Sequence, residues 1–227
     1  MPVEKKPGRR DEDREKRRGQ ILRAASELIA RKGLENVTFG EIARKARLSR
    51  PLVYFYFPDL RTLFLEAVLR AHADLRSRFE EAGIRGGTGI ERIENIGRAY
   101  ARFHRESPAS FQLCALFDSN PGYAGDPGAA AAGLKESELA THCLCADAIR
   151  TGLADGSIRS DVGDPDQVAL VLWACVHGLA QLGAMRGPSL EKLAGLGEER
   201  LVEAGIGLLR RALIADPPAG GRRVGKG

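Results

Sequence analysis

Apolar side chains recur every three or four positions along most of this chain, and no stretch alternates strictly, so the pattern predicts helices and no strands. The first stripe is Ile21, Leu22, Ala25, Leu28 and Ile29, on a helix expected over Arg14 to Lys32 and stopped by Gly33. Val37 and Ile42 then flank Thr38 and Glu41. Thr38 can cap a helix, Glu41 can reach back to it, and the two apolar residues can staple the entry. Ile42, Ala43 and Ala46 face inward, the pattern resumes at Leu48 and Val53, and this spacing lets two short helices cross steeply over a third. Ser49 is the natural cap of the second short helix. Pro51 falls in its first turn, where no intrahelical N–H bond is lost. Asp59 caps a long fourth helix to about Ile84, with Leu60, Leu63, Phe64, Ala67, Val68, Leu75 and Phe79 turned inward.

Arg85-Gly-Gly-Thr-Gly89 breaks the pattern. A fifth helix carries Ile93, Ile96, Tyr100 and Phe103, and Ser107-Pro108 starts a sixth. Residues 120–133, rich in Gly, Pro and Ala, read as a long loop or lid before a seventh helix over about Leu134 to Ala154. Asp164-Pro165-Asp166-Gln167 is a helix start with a cap, an early proline and an acidic first turn. From Val168 to Met185 the helix that follows holds no charged residue, yet His177, Gln181 and its many small residues favour a buried helix over a membrane span. The last helix, about Glu198 to Ala215, aligns Leu201, Ala204, Gly205, Leu208 and Ala212. Two such helices are too apolar for one monomer's surface. They predict a homodimer seam, with Val168, Leu172, Cys175, Leu179, Leu201, Ala204 and Leu208 as its candidates.

Packing alone does not explain Leu52-Val53-Tyr54-Phe55-Tyr56-Phe57. A helix facing one core can bury Val53 and Phe57, but Tyr54, Phe55 and Tyr56 must then point elsewhere, and with Arg50 they form a surface fitted to touch a partner. The arrangement matches a helix-turn-helix whose second helix enters the DNA major groove. Charge agrees: residues 1 to 61 carry 16 Lys and Arg against 9 Asp and Glu, and the rest of the chain is slightly acidic. Lys5, Lys6, Arg9 and Arg10, in a flexible arm expected over residues 1–13, and Arg17, Arg18 and Arg23 of the first helix are further candidates to meet phosphates, with a solvated charged surface as the plain alternative.

The segment resembles the DNA-binding domain of the tetracycline-repressor (TetR) family of transcriptional regulators. Thr38, Ile42-Ala43, Ala46, Leu48-Ser49, Val53, Tyr54, Tyr56-Phe57, Asp59 and Leu63 carry the likeness. Two positions depart from the family pattern. Arg47 stands where the turn usually has Gly, at a cost of roughly 1–2 kcal/mol if the residue is left-handed. Leu60 replaces the usual Lys, so its phosphate contact would pass to Arg61 or be lost. The resemblance implies an all-α chain with an N-terminal three-helix DNA-binding domain (14–58), a C-terminal helical ligand-binding and dimerisation domain (59–215) whose last two long helices pair with their copies, and a flexible tail (216–227). On this reading Arg50, Leu52 and Phe55 contact bases, Thr38, Ser49, Tyr54, Tyr56 and Arg61 hold phosphates, and Pro51 belongs to the same surface. The fourth helix would carry a shift from one half to the other.

Other chemistry is sparse. His72, His104, His142 and His177 fall on four different helices without metal-site spacing, no phosphate loop or nucleophile elbow appears, and neither metal nor cofactor nor enzymatic activity is expected. Cys114, Cys143, Cys145 and Cys175 read as thiols acting as small hydrophobes, and with no signal-like N-terminus the expected compartment is the cytoplasm. Tyr100, Phe103, His104, Phe111, Cys114, Phe117, Trp173 and His177 lie on broadly inward faces. They form an aromatic set with a few polar tips, as in a small-molecule pocket, although an ordinary filled core has the same pattern. The expected protein is a homodimeric repressor released from a palindromic DNA operator by a largely apolar ligand. The alternatives are a helical protein using the two-helix unit for architectural or protein contacts, or an all-α enzyme with an aromatic cavity.

Overall fold

The computed structural model describes residues 8–120, 122 and 129–215, and among these residues there are nine α-helices and no strand. They are α1 (Arg9–Lys32), α2 (Phe39–Ala46), α3 (Arg50–Tyr56), α4 (Leu60–Ile84), α5 (Gly89–Glu106), α6 (Pro108–Asp118), α7 (Ala129–Asp155), α8 (Pro165–Ala194) and α9 (Glu198–Leu213), with a 3-10 turn at Leu34–Asn36. Packing divides the chain into two units. One is the chain to Asp74 with Glu106–Glu138, and the other is Leu75–Arg105 with the chain from Leu139. A boundary at Asp59 falls inside the first unit, because the opening turns of α4 share its core.

That core follows the sequence pattern closely. Ile21, Leu22, Ala25, Leu28 and Ile29 of α1 meet Ile42 and Ala43 of α2, Val53 and Phe57 around α3, and Leu63, Phe64 and Val68 of α4, all buried. Leu113 and Phe117 of α6 and Leu134 of α7 complete it. Burial of these aliphatic and aromatic side chains, at about 1.5–3 kcal/mol each, fixes the short α2 and α3, which could not persist alone. Arg18 stacks over Phe57, 4.9 Å from the ring centroid, and pairs with Glu66, which ties α1 to α4.

In the second unit Ile90, Ile93, Ile96, Tyr100 and Phe103 of α5 are buried, as are Leu75 and Phe79 of α4, Ile149 of α7, Ala169, Leu172 and Val176 of α8 and Val202 and Ile206 of α9. Gly89 makes a close crossing possible: a β-carbon there would sit 2.0 Å from the Gly152 nitrogen on α7. An isolated antiparallel bridge joins Ile158 to Ile214 just past α9.

Several helix ends differ from the sequence reading. The first helix begins at Arg9, inside the expected arm, because Asp11 closes a cap on the Gly8 amide (3.3 Å) and Asp11 and Glu12 lie in its first turn, where the helix dipole favours acids. The remaining arm residues 1–7, half of the expected lid (residues 121 and 123–128) and the tail 216–227 lie outside the described residues. The seventh helix starts at Ala129, since Ala129 to Ala132 is a run of the best helix former. α8 continues nine residues past Met185, through Pro188, to a left-handed Gly195. The carbonyl that Pro188 leaves without a donor belongs to exposed Ala184, where water can take it. Nor is α8 the buried helix expected. Only 22% of its most apolar stretch is buried, although by length and composition alone it could cross a membrane.

Candidate nucleic-acid interface and effector cavity

Thr38 caps α2 as the sequence required. Its hydroxyl oxygen accepts from the Glu41 amide (3.3 Å), and Glu41 Oε2 accepts from the Thr38 amide (3.1 Å). The Glu41 carboxyl is held well below the usual carboxylate range, by its bond to Lys32 first and by the Thr38 bonds next. Arg47 ends the helix in the left-handed region (φ 53°, ψ 44°), and among the described residues no other non-glycine residue has a positive φ. The turn is closed by the Leu48 amide donating to the Ala43 carbonyl (2.9 Å). Ser49 occupies the cap position of α3, but its side chain makes no capping bond.

α3 buries Val53, followed by buried Phe57, and turns Arg50, Pro51, Tyr54 and Phe55 outward. Phe55 is 74% exposed and Tyr54 46%. Leu52 and Tyr56 are half-buried, with Tyr56 packed on the core and edge-on to Phe55 at 5.4 Å. Thr38 and Ser49 are exposed at the starts of α2 and α3. Arg61 is exposed and donates to the Gly122 carbonyl (2.9 Å), so part of its capacity is already spent inside the first unit. Among the other cations, Lys45 pairs with Glu27 (2.5 Å) and Lys32 with Glu41 (2.5 Å), and Arg18 is drawn onto Phe57 and Glu66, whereas Arg17 and Arg23 remain exposed.

The second unit holds a cavity of about 50 Å³ with an almost wholly apolar wall. α4 contributes Phe79, α5 Ile93, Ile96 and Tyr100, α8 Ala169, Leu172, Trp173 and Val176, and α9 Ile206 and Leu213. Glu94 and Arg210 are its charged lining residues and are paired with each other. Cys145 also lines it, its thiol pushed up to about 12 by burial.

Of the eight residues expected to form a pocket, Tyr100 and Trp173 line this cavity. His177 adjoins them, its Nδ1 2.6 Å from the Tyr100 hydroxyl and its ring 5.3 Å from Trp173. Burial, and then the nearby His104, push the His177 imidazole down. Phe103 and His104 are buried in the same unit, with His104 Nδ1 2.9 Å from Glu198 Oε1. Phe111, Cys114 and Phe117 are core residues of α6 and belong to the first unit. The sequence reading missed Phe79, Glu94 and Arg210, because an apolar stripe gives no sign of which of its members border a void. Among the described residues no cluster of His, Cys, Asp and Glu could hold a metal ion. Cys114 is buried, Cys145 and Cys175 are half-buried, and Cys143 is exposed rather than packed.

The residues expected at a dimer seam separate into two faces. Leu172 lines the cavity, and Leu179 fills the space over Gly205, where a β-carbon would meet it at 2.2 Å. Val168, Cys175 and Leu201 are half-buried, while Ala204 and Leu208 are exposed. The outward stripe of α8 is Leu170, Val171, Ala174, Gly178, Leu182 and Met185, offset by about one residue, roughly 100° around the helix, from Val168, Leu172, Cys175 and Leu179.

Residues 21–67 match the family described as bacterial regulatory proteins, tetR family, and residues 93–207, half of the chain, match a tetracyclin repressor-like C-terminal domain. The chain is 43% identical over 60 residues, 26% of its own length, to the uncharacterized HTH-type transcriptional regulator Rv2250c of Mycobacterium tuberculosis, and this match spans about a third (31%) of that relative's length. It is 32% identical over 137 residues to the HTH-type transcriptional activator FasR of Mycolicibacterium smegmatis, over 60% of this chain and 58% of that one. The fold is similar to the ketosteroid transcriptional regulator KstR2 of Mycobacterium tuberculosis, with a TM-score of 0.70 at 17% identity over 88% of this chain and 96% of that one. A capped two-helix reader and a helical C-terminal region, each matched by its own family description, together make this chain a member of the TetR family of transcriptional regulators.

Proposed function

We propose that the protein is a homodimeric repressor that grips a palindromic operator with two copies of α3 and lets go when a small apolar molecule enters the cavity of its second unit. The observation that carries the reading is α3 itself. A seven-residue helix buries Val53 and leaves Arg50, Tyr54 and Phe55 open to solvent, with Phe55 74% exposed, a surface that suits a major groove. Arg50 is the residue for a guanine edge, Leu52 and Phe55 for thymine methyls, and Thr38, Ser49, Tyr54 and Tyr56 for phosphates. Arg61 must exchange its Gly122 bond, or share its donors, to join them.

The exposed apolar stripe of α8, with Ala204 and Leu208 of α9, supports pairing with a second copy. Two-fold symmetry then sets half-sites one helical turn, about 34–36 Å, or a multiple of it apart. Ligand coupling is supported by α4, which carries Leu63 and Phe64 in the first core and Phe79 on the cavity wall. FasR, the relative matched over the longer stretch, is named an activator, and this favours a second reading in which the same contacts recruit transcription rather than block it.

Selection of bound sequences from random duplex DNA tests the reading. A palindrome is expected, bound by two chains in sedimentation. Failure to enrich any sequence, or a single chain per site, would refute it. A reporter placed behind the selected site separates repression from activation.

A further inference from the structure

We propose that Tyr54 is a positioning residue for base recognition: it holds the Arg50 guanidinium ready for one base edge, and Phe39 of α2 holds the Tyr54 ring. The inference rests on α3 being the reading helix. Residues 50 and 54 are one turn apart on the same face of α3. Arg50 Nη2 donates to the Tyr54 hydroxyl oxygen at 3.3 Å, and the guanidinium carbon lies 5.6 Å from the ring centroid, within cation–π reach. Phe39, buried at the first position of α2, meets the Tyr54 ring edge-on with centroids 4.5 Å apart and planes at 85°. A contact runs from the capped end of α2, through an aromatic ring, to the first residue of α3.

Hydrogen-bond inventory makes this arrangement useful. Accepting from Arg50 uses a lone pair of the phenol oxygen and leaves the O–H proton to donate to a phosphate. Arg50 spends one of its five N–H groups and keeps enough for the paired contact that a guanine edge requires. A long, exposed arginine would otherwise be ordered only on binding, and its tether to Tyr54 restricts which base pair it can reach. Tyr54 on this view contributes to sequence preference as well as to phosphate contact, and Phe39 contributes at one remove.

The two roles are separable by selecting bound duplexes with the full-length protein and its variants. Arg50→Ala is expected to flatten the preference at one base pair in each half-site. Tyr54→Phe keeps the ring and removes the hydroxyl, and is expected to weaken preference at that same base pair about two- to fivefold, on top of an affinity loss shared by all sequences. In an Arg50→Ala background Tyr54→Phe should change overall affinity only. Phe39→Leu, its folding checked by circular dichroism and melting, should relax the same base pair while the hydroxyl remains. If Tyr54→Phe leaves the preference at the Arg50 base pair intact, or if Arg50→Ala flattens none, the inference is overturned while the DNA-binding reading stands. A wild-type protein that enriches no sequence overturns both.

Discussion

His72 on α4 is 7% exposed, and neither ring nitrogen has a hydrogen-bond partner among the described residues. Burial pushes its imidazole down from 6.5 to about 4, so the fold accepts it only as the neutral base. The folded value lies below the unfolded one, so the stability tied to the neutral ring is present above pH 6.5 and is lost as pH falls toward 4. Integrating the proton uptake between pH 7 and pH 5 gives a loss of about 2 kcal/mol, out of about 3 for the full shift. A nearby-sounding but opposite contribution comes from Asp118, whose carboxyl is raised to about 6 by burial and then by Glu138. Protonating it removes the cost of the desolvated charge first and the repulsion from Glu138 second, so Asp118 adds stability as pH falls through 6 and the wild-type profile mixes two signs. His72→Leu, close in volume and without polar atoms, isolates the imidazole. Urea unfolding followed by circular dichroism at pH 7 and pH 5 should show the variant gaining about 2 kcal/mol on wild type between the two. A difference that stays constant with pH would refute the account of His72 as a ring buried neutral without partners.

Arg47→Gly should stabilise the protein by about 0.5–1 kcal/mol in the same assay: relief of a left-handed side chain, about 1–2 kcal/mol, exceeds the added chain entropy of glycine, about 0.5–1. An unchanged or lower midpoint would mean that the Arg47 side chain makes up for its strained backbone. Gly89→Ala should cost about 2 kcal/mol or more, because the new carbon meets the α7 backbone rather than a movable side-chain tip; a neutral result in thermal melts would show that α5 and α7 can part. On the proposed dimer, Leu208→Glu, at a residue 61% exposed, should leave the fold of each copy unchanged but raise the dissociation constant of the pair at least a hundredfold, about 3 kcal/mol, as measured by sedimentation. Unaltered association would place the seam elsewhere.

The first unit was legible in the sequence for a physical reason. Its helix starts are marked by local chemistry: the Thr38–Glu41 cap, Pro51 in a first turn, the Asp59 cap whose Oδ1 accepts the Thr62 amide at 2.7 Å. Its core residues repeat at helical spacing. What the pattern could not give was the engagement of the cations, since nothing in the spacing of Arg18 and Glu66, or of Arg61 and Gly122, announces that they meet. Phe39 was missed for the same reason: its partner Tyr54 is fifteen residues away, across a turn whose geometry depends on Arg47.

The second unit was harder because α8 is apolar on nearly every side. Periodicity separates faces only where polar residues mark one of them, and between Val168 and Met185 almost none do. The inward stripe of Ala169, Leu172, Val176, Ala180 and Gly183 and the outward stripe of Leu170, Val171, Ala174, Gly178 and Met185 therefore look alike in sequence. That ambiguity has a functional counterpart. Trp173, the chain's single tryptophan, lines the cavity and is also 40% exposed beside the outward stripe. On the proposed dimeric reading, a ligand pressing on it from inside would act on the same helix that a second copy would cover from outside, and such a shared element would couple occupancy to subunit geometry. If two copies pair through α8 as proposed, emission from this one indole should shift to the red as the protein is diluted through dissociation of that pair, and should change again on saturation with an apolar effector while the pair persists. An emission maximum that stays fixed across the monomer–dimer transition would show that α8 is not at the seam, and the coupling through Trp173 would fall with it.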